Sequence, residues 1–343
     1  MSIVHRKCRG SVLIFALWIV MLLTVFATAI GLRVRQRMTV LSRIEDRSRL
    51  HYITEAGAKK TIAAIRFDKE RHPQQMDAES KAYRHHNQDV FEKITLPEGS
   101  ARVSYELHPL EKKEKDLRFG VVDEESKINV NTSDRASLTR LFDLVTPLDE
   151  EEAKGLVEAI ISWREIGETQ LVGFGSDEYY TNLPYPYLNK HAPFEILDEL
   201  LLVRGMNEEI YERIKPFITI YGDGLVNINT ASEEVLFALG LEDPVIEKFL
   251  AARGGLDGEE ATMDDHVFLA AYDVASEVQS LVSLDKEEVI QLSFLNGAGK
   301  IKTTSDYYLI QSFGQLDEGK EKLRIDCIYN ARDNIIEYWN ENN

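Results

Sequence analysis

Cysteine is almost absent from this chain of 343 residues, in which only Cys8 and Cys327 occur, one near each end. Two cysteines cannot form a framework of several disulfides, so the stability of the fold must come from packing. Cys327 is expected to be a small, buried apolar residue. Hydrophobic residues make up 44% of the chain, which excludes a wholly disordered or fibrous protein, and the length predicts about two domains.

Recognisable catalytic motifs are also missing. The sequence has no G-x-S-x-G, H-E-x-x-H or P-loop spacing, and its only adjacent histidines, His85 and His86, lie in the polar stretch 72–87. No Cys or carboxylate stands near these histidines at a recurring ligand spacing, so the stretch is predicted to be a solvated loop. We therefore expect that the chain is not an enzyme.

Positive charge is scarce overall and unevenly distributed. The chain has 40 Lys and Arg against 58 Asp and Glu, a net charge of −18. Residues 1–50 contain nine basic and two acidic residues, a local charge of +7, which leaves −25 for the remainder. This acidic excess argues against a protein whose whole surface binds polyanions.

An uncharged apolar segment extends from Ser11 to Leu32. As a helix its 22 residues would be about 33 Å long, enough to cross the hydrocarbon core, and it is longer than the apolar part of an ordinary signal peptide. Basic residues flank it on both sides, so charge alone does not decide its orientation. The helical periodicity continues to about Phe67, and Arg33, Arg35 and Arg37 are expected to contact lipid headgroups.

The remaining regular elements divide into two groups. Alternating residues predict strands at 101–108 and 119–123, and again at 304–314 and 322–329 around a turn at 315–320. The residues between 123 and 300 contain mainly helical patterns. The sheet therefore starts before residue 123 and resumes after about 300, with the helical part inserted into it.

A short motif occurs twice in the helical part. INVNTS at 128–133 is echoed by VNINTA at 226–231, and each copy precedes a helix with apolar residues at helical spacing. The asparagines are expected to bond nearby backbone groups, and a hydroxyl residue is expected to cap each helix, either Thr132 or Ser133 in the first copy and either Thr230 or Ser232 in the second. The motif residues are Asn129, Asn131, Thr132, Asn227, Asn229 and Thr230.

A helical hairpin precedes the second copy, and its turn contains Gly205, which fits a C-terminal cap of positive φ. The pattern is similar to helix-hairpin-helix proteins, some of which bind the DNA backbone. Six acidic residues surround this hairpin against three basic ones, which is unsuited to phosphate, so a structural hairpin is favoured and no nucleic-acid partner is expected. A membrane-anchored DNA-binding protein of an uptake system is the alternative function.

Two groups of acidic residues are candidate Ca²⁺ sites, since oxygen-rich loops hold this ion. The first candidate comprises Glu165, Glu168, Asp177 and Glu178, and the second comprises Asp123, Glu124, Glu125 and Asn129. For both groups a role without metal is equally open. The stretch that follows contains Tyr179, Tyr180, Tyr185 and Tyr187 with two prolines, and it is interpreted as core of the insertion, or else as an interface anchor.

The N-terminus resembles the prepilin-type leader of type IV pilins and type II secretion pseudopilins. A basic stub ends in Arg9-Gly10, and the apolar segment follows at once. The resemblance implies that a prepilin peptidase cuts between Gly10 and Ser11. Phe15, the fifth residue after this cut, stands where most members of the superfamily carry a glutamate that pairs with a neighbouring subunit. A subunit at the tip of a fibre would have no neighbour above it to pair with.

The whole order of features resembles the K-type minor pseudopilins of type II secretion. It rests on VVDEESKINVNT, YYTNLPYPY, DELLLVRGM and VNINTASEEVL, beside the leader and the apolar fifth position. The resemblance implies an α+β fold in which an N-terminal transmembrane helix leads into a pilin-like α/β domain with a large all-helical insertion of the helix-hairpin-helix or SAM-like type. It also implies that the family binds calcium, which favours Ca²⁺ as the one candidate cofactor.

The implied domains are a leader at 1–10, an N-terminal helix at 11–67 with its transmembrane part at 11–32, the first part of the pilin-like domain at 68–123, the insertion at 124–300 and the C-terminal strands at 301–343. The implied location is the inner membrane, crossed once, with most of the chain in the periplasm. The implied partners are the I-type and J-type minor pseudopilins in a tip complex, the prepilin peptidase, the inner-membrane assembly platform and the lipid bilayer. The expected function is to cap the tip of the pseudopilus and nucleate its assembly for protein export across the outer membrane.

Overall fold

The computed structural model describes residues 9–70, 86–107, 116–165, 177–258, 262, 264–317 and 322–342. A single long helix, α1, occupies Arg9–Glu70. Its 62 residues correspond to about 93 Å at helical rise. The side chains from Val12 to Leu32 are exposed, whereas Leu50, Ile53 and Ile65 are buried. The second half of the helix therefore belongs to the folded domain and the first half projects from it.

The pilin-like part is a seven-stranded sheet with a short helix, α2, at Gln88–Phe91. The strands are β1 (Ile94–Leu96), β2 (Gly99–Leu107), β3 (Asp116–Phe119), β4 (Val122–Asp123), β9 (Tyr307–Leu316), β10 (Lys322–Asn330) and β11 (Ile335–Asn342). Five of them follow the order β1-β2-β9-β10-β11, β3 pairs with β2, and β4 pairs with β9, all antiparallel.

The sequence-based strand predictions need two corrections. The predicted strand at 119–123 is divided into β3 and β4, because Gly120 adopts φ +152° between them. β11 was not predicted, because six of its eight residues are exposed and no apolar alternation marks it. The predicted turn at 315–320 lies only partly within the described residues, and Gln315 and Leu316 still belong to β9. The fold class expected from the sequence is confirmed.

The insertion lies between β4 and β9 and consists mainly of helices. Its first half runs from β5 (Ile128–Asn129) through α3 (Arg135–Val145), α4 (Glu150–Arg164), α5 (Asp177–Thr181), a 3₁₀ helix (Leu197–Leu202), α6 (Glu208–Ile214) and a 3₁₀ turn (Lys215–Phe217) to β6 (Ile218–Thr219). Its second half runs from β7 (Val226–Asn227) through α7 (Glu233–Leu239), α8 (Asp243–Arg253), α9 (Val274–Leu281) and α10 (Lys286–Gly297) to β8 (Ile301–Lys302).

The two halves have the same layout. Each begins with a two-residue strand, continues through two α-helices and ends in a strand that pairs in parallel with the first: β5 with β6, and β7 with β8. The equivalent helices α3 and α7 pack against each other. Both halves contribute to one hydrophobic core, separate from the core between α1 and the sheet. The insertion is therefore a tandem repeat with a shared core.

Candidate functional site

The helix α1 approaches the sheet closely through small residues. A Cβ atom on Gly57 would collide with the Oγ of Ser312 on β9 and the Cβ of Ala101 on β2. The Ser312 hydroxyl donates to the carbonyl oxygen of Thr54 at 2.8 Å. Close backbone approach of this kind requires glycine, because any larger side chain would separate helix and sheet. The helix and the sheet thus pack directly against each other from about residue 50 onwards.

The predicted processing site lies at the other end of α1. The helix begins at Arg9, so Gly10 and Ser11 form part of its first turn. Phe15 is exposed on the apolar segment, where its side chain would face lipid or another subunit. The stretch Val12–Lys69 is long and apolar enough at its N-terminal end to cross a membrane. This agrees with an inner-membrane anchor.

A buried carboxylate joins the sheet to the insertion. Asp123, at the end of β4, accepts hydrogen bonds from Thr230 Oγ1 at 2.5 Å, Ser305 Oγ at 2.6 Å, Asn227 Nδ2 at 2.8 Å and the backbone N–H of Glu125 at 2.9 Å. Burial raises the pKa of Asp123, and the hydrogen bonds from Ser305, Thr230 and Asn227 oppose that rise. The Asp123 junction, defined by these five residues, therefore fixes the second repeat against the sheet.

Ion pairs surround the Asp123 junction. Lys302 Nζ lies 2.5 Å from Glu125 Oε1 and 2.9 Å from Asp223 Oδ1. Burial would lower the pKa of Lys302, but its hydrogen bonds to Glu125 and Asp223 outweigh this and raise it. The second oxygen of Glu125 accepts from the backbone N–H of Asp306 at 2.6 Å. Each buried charge here has its partner, which is the condition for tolerating it.

Asp306 extends these contacts to α1 and to the turn before β11. Its carboxylate pairs with Lys69 near the end of α1 and with Arg332 at 2.5 Å. Burial alone would raise the pKa of Asp306, yet the hydrogen bond and charge of Lys69 and the charge of Arg332 lower it. Anchor helix, sheet and insertion thus meet within a few residues of one another.

The repeated asparagines bind backbone groups in equivalent ways. Asn131 Nδ2 donates to the carbonyl of Phe194 at 3.0 Å and its Oδ1 accepts from the Phe194 N–H at 2.8 Å, and Asn229 makes the same pair with Phe268 at 2.9 Å each. The first asparagine of each motif accepts a hydrogen bond through its Oδ1 from the backbone N–H two residues later. The distance is 2.8 Å for Asn129 and 3.2 Å for Asn227. The motif is therefore a backbone clamp within the insertion.

An arginine completes each clamp, and sequence analysis did not identify it. The guanidinium donates to two carbonyls of the motif in each copy: Arg164 to Val130 at 2.5 Å and Ser133 at 2.7 Å, and Arg253 to Ile228 at 2.9 Å and Ala231 at 2.7 Å. Both arginines are the last residue of the second helix of their copy. An arginine at the end of the second helix in both copies is therefore a sequence signal from which this clamp could have been found.

The predicted cap is wrong in the first copy, whereas in the second copy Ser232 stands at a predicted cap position. Asp134, rather than Thr132 or Ser133, caps α3 by accepting from Ser137 N at 2.8 Å. Ser232 occupies the cap position of α7 but makes no side-chain cap bond. The hydroxyl of Thr230 binds Asp123 instead, because a buried carboxylate is a stronger acceptor than a carbonyl or hydroxyl.

The first candidate calcium site is not assembled by the described residues. Glu168 lies outside them, Glu165 is the C-cap residue that follows α4, and Asp177 pairs with His191 Nε2 at 2.9 Å. Within the described ranges no group of three His, Cys, Asp or Glu residues is arranged to hold a metal ion. Glu178, next to Asp177, lies in the first turn of α5.

In the second candidate group every member has a protein partner. Glu124 binds Lys127 at 2.5 Å and the Thr219 hydroxyl at 2.7 Å, and Asn129 Nδ2 donates to the carbonyl of Tyr221 at 2.9 Å. Asp123 and Glu125 take part in the junction already described. These carboxylates therefore serve as hydrogen-bond and ion-pair acceptors within the fold.

The aromatic stretch divides between the interior and the surface. Tyr180 is fully buried and its ring packs against Trp163, with Tyr187 beside both. The Tyr180 hydroxyl accepts from the backbone N–H of Arg204 at 3.2 Å, next to Gly205, whose φ is +87°. Tyr185 is 89% exposed. The hairpin is thus held by the insertion's own core, and its first arm is a 3₁₀ helix rather than an α-helix.

Cys327 lies in the centre of β10 and is fully buried. Burial raises the pKa of its thiol to about 12, with a smaller contribution from Asp326. The thiol therefore stays protonated and unreactive at neutral pH.

The fold is thus a sheet domain that carries a duplicated helical insertion and a long N-terminal helix with an apolar first half. Residues 114–223 match the model of the first domain of protein K of the type II secretion system. Type II secretion system protein K of Aeromonas hydrophila is 34% identical over 101 residues, which are 28% of this chain. The chain spans 30% of the length of that relative.

The fold also has a counterpart among solved structures. The GspK-GspI-GspJ complex of the type 2 secretion system from enterotoxigenic Escherichia coli matches with a TM-score of 0.57 at 14% identity, over 87% of this chain and 98% of the matched chain. These findings confirm the resemblance to K-type minor pseudopilins drawn from the sequence. Protein K is a structural pseudopilin of a secretion system, and the DNA-uptake alternative is not favoured.

Proposed function

We propose that this chain caps the tip of the type II pseudopilus and nucleates its assembly for protein export across the outer membrane. The observation that supports this most directly is the Asp123 junction, which fixes a bulky insertion to the same sheet that α1 carries. The insertion joins the sheet near the C-terminal end of α1, where Lys69 pairs with Asp306, the neighbour of Ser305. A further subunit stacked above would then collide with the insertion.

The apolar half of α1 anchors the chain in the inner membrane, with the sheet and the insertion in the periplasm. Arg33, Arg35 and Arg37 follow the apolar segment directly and are exposed, which suits contact with lipid headgroups. The assembly platform would then extract the helix from the bilayer.

The prepilin peptidase is expected to cut between Gly10 and Ser11. Gly10→Leu should abolish this cleavage, because the residue before the cut must be small, and the retained basic stub would keep the protein in the membrane. N-terminal sequencing of protein purified from cells with the secretion system checks this, with Gly31→Leu in the same helix as the control. A Gly10→Leu protein with an unchanged mature N-terminus would contradict the proposed processing.

Phe15 distinguishes a tip subunit from a subunit within the shaft. Phe15→Glu places an ionisable group near the start of the membrane helix, at a cost of about 2 to 3 kcal/mol on insertion scales. At the tip no neighbour above supplies an amine, so secretion should fall, while Phe15→Leu should preserve it. Full secretion by Phe15→Glu, with the protein distributed along the fibre, would disprove the tip position.

Co-purification of the full chain with the I-type and J-type minor pseudopilins tests the whole proposal. A stable complex of the three is expected, with this chain at one end of the particle in electron micrographs. Its presence at regular intervals along fibres would contradict the capping role. Salt-dependent binding of the full chain to duplex DNA would instead revive the DNA-uptake function.

A further inference from the structure

The strand β11 forms one edge of the sheet. It pairs with β10 from Arg324–Asn342 to Asn330–Ile335, and no other strand of the described chain pairs with its outer side. The opposite end of the strand order is formed by β1, which is only three residues long. β11 therefore presents a long row of backbone N–H and C=O groups without partners in the sheet.

This edge lacks most features that normally protect an exposed strand. Its sequence, IIEYWNEN, contains no proline and no basic residue. Ile335, Ile336 and Tyr338 are 50%, 41% and 40% exposed, so the apolar half of the strand faces solvent. One register irregularity occurs, opposite Ile328 and Tyr329, and the five pairs beyond it are regular. Natural proteins usually protect such edges with lysine, proline or a covering segment.

The backbone of the edge specifies an extended segment as its occupant. Only another strand offers donors and acceptors that alternate at the same spacing, as in β-strand addition. The exposed isoleucines and Tyr338 favour apolar side chains on that strand, since cross-strand apolar pairs stabilise a sheet. A helix or a flat surface would leave the row of backbone groups unsatisfied.

A second copy of this chain fits the edge poorly. Glu337 is the extra residue of the β11 bulge, and its carboxylate accepts from Asn330 Nδ2 at 2.9 Å. β11 contains Glu337 and Glu341 and no basic residue, so a pair of two β11 strands would bring four carboxylates and no cation together, and like charges on neighbouring strands are destabilising. A strand from a different protein avoids this accumulation of negative charge, and a basic residue on that strand would complement the two glutamates.

We propose that β11 binds an apolar strand that carries a basic residue, from another minor pseudopilin of the tip complex. The inference rests on the proposed function, because that function supplies the partners. It adds the surface through which one of them attaches. The bound strand would extend the sheet beyond β11 by main-chain hydrogen bonds.

The test uses the full chain in detergent, alone and mixed with the I-type and J-type minor pseudopilins. Hydrogen exchange measured by mass spectrometry should show new protection of the amides in 335–342 on mixing, with β3 unchanged. Ile336→Lys should weaken the complex about tenfold or more, as expected for an interface anchor. Leu144→Lys on α3 is the matched control, because Leu144 is also 41% exposed, and it should bind normally. The two variants should melt within a few degrees of each other.

The possible results separate the inference from the proposed function. A stable complex with β11 amides unprotected, or with Ile336→Lys binding as tightly as the unmodified chain, would overturn the docking edge and leave the tip complex intact. Failure of the unmodified chain to bind either partner would overturn both. Protection of β11 in the isolated chain that grows with its concentration would identify a second copy as the occupant and overturn the inference.

Discussion

Replacing Asp123 by alanine should separate the insertion from the sheet. The substitution removes the acceptor for four donors, which are the hydroxyls of Thr230 and Ser305, the amide of Asn227 and the backbone N–H of Glu125. Asn227 keeps a bond to Ser305 Oγ at 2.9 Å, so the other three donors lose their only strong acceptor. At about 1 to 3 kcal/mol for each orphaned buried donor, the expected loss in the free energy of unfolding is at least about 3 kcal/mol.

Asp123→Asn is the conservative partner of this change. Its carbonyl oxygen still accepts one or two of the bonds, and its amide removes the charge that burial disfavours. The expected loss in the free energy of unfolding is about 1 to 2 kcal/mol, since the introduced side-chain NH₂ group then faces another buried donor. Asp143→Ala, which removes an exposed aspartate from α3, is the control for the loss of a carboxylate.

The pH dependence of the junction follows from the raised pKa of Asp123. A carboxyl whose pKa is higher in the folded than in the unfolded chain binds its proton more tightly when folded. The associated stability is complete below about 3.8, the ordinary pKa, and is lost as the pH rises through the folded value. Asp123→Asn, which cannot titrate, should lack this loss in urea unfolding measured across that range.

Two tryptophans allow the separation to be measured directly. Trp163 lies in the core of the insertion and Trp339 lies on β11 in the sheet. Two variants of the full chain each retain one of these tryptophans and have the other two tryptophans of the sequence replaced by phenylalanine. In urea titrations followed by fluorescence, the unfolding transitions reported by Trp163 and Trp339 should coincide when the junction is native. They should diverge when Asp123→Ala is added. Coincident transitions, with a stability loss no greater than that of Asp143→Ala, would refute the role of the junction.

Three further predictions concern other parts of the fold. Gly57→Leu should destabilise the chain by about 3 kcal/mol or prevent folding, because the new side chain would collide with Ser312, whereas Gly31→Leu, which meets no neighbour, should leave thermal unfolding unchanged. Arg253→Ala should lower the free energy of unfolding by about 2 to 4 kcal/mol, as two buried carbonyls lose their donor, measured by urea titration. Cys327 should resist iodoacetamide at pH 8 and react after denaturation, as read by mass spectrometry.

The anchor helix was predictable because its signals are local. An uncharged apolar run and a continuing helical period indicate both halves of α1 without knowledge of the tertiary fold. The strands β9 and β10 could also be predicted, since each has buried residues at alternate positions. By contrast, β11 has no buried face to impose alternation, and the sequence therefore contains no period-two signal there.

The junction could not be predicted, because its members are distant in sequence. Thr230 stands 107 residues from Asp123, and Ser305 stands 182 residues away. From the local sequence alone, a threonine before a helix predicts an N-cap. Only the fold shows that the buried carboxylate of Asp123 accepts the hydroxyl of Thr230 instead. The same limit applied to Thr132, where an aspartate two residues later was the better cap.

The repeat makes the insertion the single-chain equivalent of a dimer, and the two copies have diverged in what they hold. Asn227 of the second copy reaches the sheet through Asp123, whereas Asn129, at the equivalent position, donates to a carbonyl within the insertion. The second copy is thus attached to the sheet through its asparagine, whereas the first copy has the same backbone clamp without this bond. The asparagines and arginines bind backbone groups in both copies, while the bond to Asp123 comes from the second copy.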